Sequence, residues 1–387
     1  MLAGWIFGES ILPIAEPLAQ IFLRLLRMAI MPLIMTSIIS GVLSIGNAKN
    51  LGRLGSKVFG YYIASSLLAI FAGQLLVNIF QPGKGATLGL TKTPDELAAV
   101  EQGVSDILLR IIPENPFAAM VEGDVLAVIF FSLLFGYFIT TTNEPYRTQL
   151  SDIFNGAFEV MMKLVHFVIW TAPLGVFGIN ARIVATTGFE AFKSLGFYSL
   201  IVVAGLAIHA FISLPLILKF IARVNPYKHY RNMIPALITA FSTSSSMVTL
   251  PLTIDRVTLN SGVSKKVGGF SLPIGATINM DGTALYECVA AIFIAQVYGF
   301  DLSFGQQLMV VLTALLASIG AAGVPMAGLV MLAIILRAVG LPLEAVGIIL
   351  AVDRILDMFR TATNVLSDSC GAVMVARLEG EDLPEIT

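Results

Sequence analysis

Asp353, Asp357, Arg360, Asn364 and Asp368 step by four, three, four and four residues through an otherwise apolar stretch near the C-terminus. At ~100° per residue they fall within an arc of roughly 80° on one helix face. Three carboxylates, a guanidinium and an amide on one stripe can pair with the charged groups of a small solute, coordinate a cation or carry protons. Arg360 presents a planar fork suited to a carboxylate. Asp357 beside it attracts an ammonium group and repels a second anion. The pair therefore favours a zwitterion bearing an extra carboxylate, glutamate or aspartate, over succinate or malate. A C4-dicarboxylate is the alternative, and an ion channel a further one.

A second constellation lies upstream, in Gly275-Ala276-Thr277-Ile278-Asn279-Met280-Asp281-Gly282-Thr283. Asn and Gly are poor helix formers. Unwinding here frees backbone carbonyls, which join the Asn279 amide and the Asp281 carboxylate in a hard-oxygen cage for an alkali cation. Glu287 follows within the same apolar segment. Asp281, Glu287, Asp353, Asp357 and Asp368 set five carboxylates against Arg360, about four net negative charges if all are ionised, which is prohibitive in a low dielectric without counter-ions. Co-bound cations and a proton on Glu287 are the natural remedies. A structural ion-pair network is the plainer reading of the stripe, and its unbalanced charge argues against it.

Composition supplies the setting. Hydrophobic residues make up 57% of the 387, charged residues 12%, and mean hydropathy is +0.87. Soluble domains carry ~25% charged residues, so the chain reads as an all-α polytopic membrane protein embedded in lipid. A net charge of −2 gives no sign of nucleic-acid binding. Cys288 and Cys370 suggest neither a disulfide nor a zinc site. His166, His209 and His229 are scattered and read as structural or interfacial. No cleavable signal peptide is evident. No nucleophile–base pair or cofactor motif suggests an enzyme.

Apolar runs long enough to span occur at about 14–46, 53–81, 122–141, 148–182, 188–222, 265–299 and 342–378. Two other segments, 230–256 and 304–338, each hold two short apolar halves around a small, polar centre. Ser242-Thr243-Ser244-Ser245-Ser246 forms the first centre, and Ser318–Gly328 the second. Lys49, Arg53 and Lys57 place the first turn on the cytoplasmic side. Basic residues flank 230–256 at both ends, which makes it a re-entrant hairpin. Segment 304–338, with no basic residue at its start, fits a hairpin entering from outside. Opposed hairpins, each followed by a polar-interrupted helix, form the inverted repeat of a secondary transporter. Non-helical backbone at that depth must be buried or line a cavity.

The serine-rich tip, the Asn279–Thr283 motif with Ala284-Leu285-Tyr286-Glu287, and the Asp353–Asp368 stripe together resemble the glutamate transporter family, the dicarboxylate/amino acid:cation symporters. The resemblance covers nearly the whole chain. It implies that Arg360 pairs with the substrate's side-chain carboxylate and Asp357 with its α-amino group. Thr361, Asn364, Thr283, Ser245 and Ser246 then supply further polar contacts, while Val324 and Gly328 close over the substrate through backbone. It implies one Na+ site at Gly275, Asn279, Asn364 and Asp368, and another at Tyr62, Ser65, Ser66, Asn279 and Asp281. A third is implied at Thr277, Ser318, Ile319 and Ala321. Glu287 matches a proton carrier; sodium-only archaeal relatives have glutamine there. No cofactor is implied beyond co-transported Na+ and H+. The resemblance further implies a homotrimer with an elevator motion. Runs 14–46 and 122–182 would form its scaffold, and 53–81 with 188–378 its moving part. On this resemblance the sequence would start after the family's usual first helix, which precedes about Glu16. The family's second arginine would fall at Ser244 or Met358. Short loops suggest a prokaryotic inner membrane.

Overall fold

A computed structural model describes residues 2–46, 52–86, 112–122, 124–187, 190–320 and 327–383. Every regular element among them is helical. That is the expected outcome for apolar runs of this length, because a helix satisfies its own backbone without water. In chain order the helices are α1 (Leu2–Phe7), α2 (Leu12–Gly46), α3 (Gly52–Phe80), α4 (Pro116–Glu122), α5 (Val125–Thr141) and α6 (Tyr146–Thr187). α7 (Glu190–Ile208) runs on through π-helical turns at His209–Ser213 and Leu218–Ala222. Then come α8 (Pro226–Thr243), α9 (Ser246–Asp255), α10 (Lys265–Ile278), α11 (Asp281–Val297), α12 (Phe304–Gly320), α13 (Ala327–Ala338) and α14 (Val346–Leu378). Four described helical stretches are long and apolar enough to cross a membrane: Ala3–Leu25, Arg53–Phe80, Ser194–Ala222 and Lys265–Val297.

The packing divides by partner. α2 lies along α6 and α5, whereas α3 lies along α11. α11 is enclosed from end to end, with Asp281 through Gln296 all buried. A helix apolar on every side belongs at the centre of an assembly, and α3, α12 and α14 surround this one. Glycine permits the close contacts: a Cβ on Gly73 of α3 would lie 2.8 Å from Leu285 Cγ, and one on Gly282 would lie 2.8 Å from the backbone carbonyl oxygen of Arg360.

Both interrupted segments fold back as helix pairs. α8 ends at Ser244, in the left-handed region at φ 52°, and Ser245 caps α9 by accepting from Val248 N. This short αL turn reverses the chain with one residue. The threonines flanking it bond to their own helices, Thr243 Oγ1 to Thr239 O at 2.8 Å and Thr249 Oγ1 to Ser245 O at 2.9 Å. These hydroxyls are satisfied locally, unlike hydroxyls that join helices as glue. α12 and α13 also pack on each other; residues 321–326 of the second tip are not described.

The two pairs begin at opposite ends of α3. At its N-terminal end, Lys57 reaches Glu379 at 2.5 Å and Arg53 reaches it at 3.2 Å, just past α14. Arg377 Nε donates to Ala222 O just ahead of α8, and Glu381 accepts from Ser264 N at the start of α10. At the other end, Asn78 Nδ2 donates to Gln307 Oε1 in the first turns of α12, and Lys84 lies 3.5 Å from Asp301. Of the basic residues assigned to the first cytoplasmic turn, the described ones, Arg53 and Lys57, lie together at this first end.

The Lys57 ammonium bonded to Glu379, with Arg53 beside it, holds the Glu379 carboxyl below its ordinary value. A carboxyl lowered in the folded state contributes stability above its unfolded pKa and loses it as pH falls through the folded one. Glu379→Gln should therefore lower the melting temperature slightly at neutral pH. The gap from wild type should close on acidification below about pH 4. A thermal melt series in detergent checks this, and a gap of constant size across the series contradicts it.

Candidate functional site

The predicted stripe is one buried face. Asp353, Asp357, Arg360, Asn364 and Asp368 are all at most 7% exposed. The face is turned toward the junction of α10 and α11, where the helix breaks as expected. Asn279 (φ −92°, ψ 87°) and Met280 (φ −116°, ψ 58°) are non-helical, and α11 restarts at Asp281. The restart exposes backbone donors. Asn364, on the opposing helix, meets one of them: its Oδ1 accepts from Gly282 N at 2.8 Å, while its Nδ2 donates to Thr283 Oγ1 at 3.2 Å. A single amide thereby ties α14 to the break and orients Thr283.

Arg360 is 1% exposed. Its Nη2 donates to Asp357 Oδ1 at 2.8 Å and lies 3.1 Å from Asp353 Oδ1. The second contact is an ion pair only, because neither Asp353 oxygen has an aligned hydrogen bond. The guanidinium lies over the Tyr286 ring at 3.8 Å, a cation–π contact on a desolvated face. Nε and Nη1 have no acceptor. Gly328, at the start of α13, lets backbone approach this group: a Cβ there would stand 2.8 Å from Nη1. The first hairpin tip approaches the same helix through the edge-to-face contact of Phe241 and Phe359 at 5.1 Å. Thr361, Ser245 and Ser246 are buried.

Oxygen atoms gather on the other side of the break. Asn279 Nδ2 donates to Asp368 Oδ1 at 2.9 Å and to Ser367 Oγ at 3.1 Å, while its Oδ1 is buried without a donor. Gly275 admits two groups at once, since a Cβ would fall 2.6 Å from Asp368 Oδ1 and 2.8 Å from the Tyr62 hydroxyl. Tyr62 donates to Ser271 O at 2.7 Å. Asp281 Oδ1 accepts from Ser66 Oγ at 2.5 Å, and Ser65 bonds weakly to Tyr62 O at 3.4 Å. An unpartnered amide oxygen beside two buried carboxylates is a donor set suited to a hard cation. The residues of the first two cation sites implied by the resemblance therefore lie together at this break.

For the third implied site, α10 and α12 do pack together. Thr277 Oγ1 donates to Ile274 O and Ser318 Oγ to Leu315 O, both within their own helices. The Ile319 side chain, Ala321 and Val324 lie outside the described residues. Glu287 is fully buried on α11, and neither of its oxygens has a partner.

Four contributors lie outside the expected set of substrate, cation and proton ligands. Ser367 Oγ bonds Asp281 and accepts from Asn279. Tyr286 carries Arg360, Asp353 pairs with it, and His209 Nε2 lies 3.1 Å from Asp281 Oδ2. Asp353 and Tyr286 were inside recognised motifs. His209, expected to be structural or interfacial, is an ionisable residue within an apolar span, which is itself a functional signal.

The chain matches the model of the sodium:dicarboxylate symporter family over residues 1–378. It is 37% identical over 420 residues to human excitatory amino acid transporter 3, covering 95% of this chain and 80% of the relative. It is 36% identical over 373 residues to the proton/glutamate-aspartate symporter of Escherichia coli K12, covering 94% and 85%. An excitatory amino acid transporter of Caenorhabditis elegans is 38% identical over 422 residues, covering 97% and 83%.

Gly275→Ala would drive a methyl group into Asp368 and Tyr62. The sodium concentration that gives half of the maximal thermal stabilisation should rise by roughly tenfold or more, the scale on which displaced ligand shells weaken metal binding. An unchanged sodium titration would show that no cation sits against this glycine.

Proposed function

Because the chain belongs to the sodium:dicarboxylate symporter family, we propose that it is a secondary active symporter that imports L-glutamate and L-aspartate together with Na+ and H+. The observation that carries this reading is the buried Arg360, whose Nη2 is held by two carboxylates while Nε and Nη1 have no acceptor. A buried donor left unmet costs ~1–3 kcal/mol, more when charged. Such a guanidinium is complementary to a carboxylate brought in by the substrate. Asp357 holds the arginine's orientation and offers negative charge to an α-ammonium group. Thr361, Asn364, Thr283, Ser245 and Ser246 supply the remaining polar contacts, and the backbone around Val324 and Gly328 covers the substrate.

Cations enter as co-substrates. Five buried carboxylates outnumber the arginine, and an acidic amino acid adds another net negative charge. Na+ at Asp368, Asn279, Asn364 and the Gly275 carbonyl offsets part of it. Na+ at Asp281, Ser66, Ser65, Tyr62 and Asn279 offsets more, and a third Na+ lies between Thr277 and residues 318–321. A proton on Glu287 removes a further charge. In this reading substrate and cations are mutually dependent, because each is costly to bury without the other.

The helix pairs α8–α9 and α12–α13 act as re-entrant hairpins whose tips alternately uncover the site. α3 and α7–α14 move as one body against a scaffold of α2, α5 and α6 within a homotrimer in a prokaryotic inner membrane. Support comes from the location of every described site residue on α3 or within the stretch from α7 to α14 and none on α2, α5 or α6, and from the start of the two pairs at opposite ends of α3.

Uptake in proteoliposomes, with Na+ and proton gradients imposed separately, tests the assignment. Labelled glutamate and aspartate should accumulate in response to inward gradients, and succinate should not. Succinate uptake above that of both amino acids would overturn the amino-acid reading in favour of a C4-dicarboxylate. Arg360→Cys should abolish uptake of acidic substrates. Glu287→Gln should leave sodium-driven uptake but remove its pH dependence, and persistent proton co-transport in that variant rules out Glu287 as the carrier.

A further inference from the structure

We infer that His209 is a positioning residue for the cation site at Asp281, holding one carboxylate oxygen so that the other faces the ion. The inference rests on the proposed sodium coupling. His209 lies at the start of the π-helical turn His209–Ser213, where α7 is widened by one residue. Such bulges redirect a side chain without ending the helix and recur at functional positions. Its ring is fully buried, as is Asp281. Nε2 lies 3.1 Å from Asp281 Oδ2. A carboxylate only accepts, so Nε2 is the donor. Nδ1 is buried without a partner, so this single bond is the polar contact that fixes the ring.

The two Asp281 oxygens are treated differently. Oδ2 receives two donors, His209 Nε2 and Ser367 Oγ. Oδ1 receives only Ser66 Oγ at 2.5 Å, and Ser66 is itself one of the expected cation ligands. The Ser66 hydroxyl can rotate its proton away and offer a lone pair, leaving Oδ1 open to the ion. His209 therefore stands on the far side of the carboxylate, in the relation that outer-shell partners bear to a ligating group. Losing such a partner costs ~10–100-fold in affinity. An apolar replacement would leave Asp281 free to rotate about its side-chain bonds, and a substitute that keeps one donor at similar reach would hold it. Gln fits that requirement through its terminal amide.

The test compares wild type, His209→Leu and His209→Gln in two assays. One is sodium-dependent thermal stabilisation of the purified protein, with choline as the control cation. The other is sodium dependence of aspartate uptake in proteoliposomes. In both, His209→Leu should raise the half-maximal sodium concentration by about tenfold or more, with a much smaller change in the aspartate KM at saturating sodium. His209→Gln should recover most of the loss. If wild type responds to sodium and His209→Leu matches it, the positioning role is overturned while the sodium reading stands. If His209→Leu fails to fold, the decision passes to His209→Gln: a sodium response near that of wild type upholds a donor role, and loss of response with aspartate binding retained overturns it. A wild-type protein indifferent to sodium in both assays overturns the sodium reading, and this inference with it.

Discussion

The arrangement depends on one constraint: carboxylates buried where water cannot reach them must have their charge met by something. Asp281, Glu287, Asp353, Asp357 and Asp368 are each no more than 7% exposed; Arg360 is buried among them, and the half-exposed Arg354 reaches only Asp357, at 4.0 Å. Burial of an unpaired ion costs several kcal/mol. A fold that keeps this imbalance must either supply counter-charge from outside or hold part of the cluster protonated. Coupled binding of cations and substrate is the functional form of that requirement.

Two devices let the chain assemble the cluster. The first is the interruption between Ile278 and Asp281, which removes helical pairing where polar groups are needed, while Asn364 restores the bond to Gly282 N from another helix. The second is the absence of side chains at close approaches. Gly275 gives Asp368 and Tyr62 their room, Gly282 brings α11 against the backbone of Arg360, and Gly328 brings α13 against its guanidinium. Each glycine replaces packing volume with proximity of polar atoms, and electrostatic interaction falls with distance.

Much of this was legible in the residues. The four-three-four-four stepping from Asp353 to Asp368 required one helix face, and that face is buried as a unit. Apolar halves around small centres foretold the pairs α8–α9 and α12–α13 within a few residues of their observed limits. Asn and Gly around position 279 marked the break. Asp353 was seen as part of the stripe, but nothing in its own position distinguished a partner of Arg360 from a partner of substrate. His209 was passed over, because a single histidine in an apolar run carries no spacing to interpret. Its partner lies 72 residues away, and the π-turn that aims it has no simple sequence signature.

By itself, then, the sequence determined the class of protein, the paired interrupted segments, the face on which charge collects and the excess of that charge. These follow from local properties, hydropathy and helical periodicity, which each segment carries wherever it sits. Only the tertiary structure decided which oxygen of Asp281 meets two partners and which meets one, that Asp353 shares Arg360 with Asp357, and that Tyr286 lies beneath the guanidinium. Those outcomes depend on distances of about 3 Å between helices far apart in the chain, and no local pattern sets such distances until the packing of all the helices has done so.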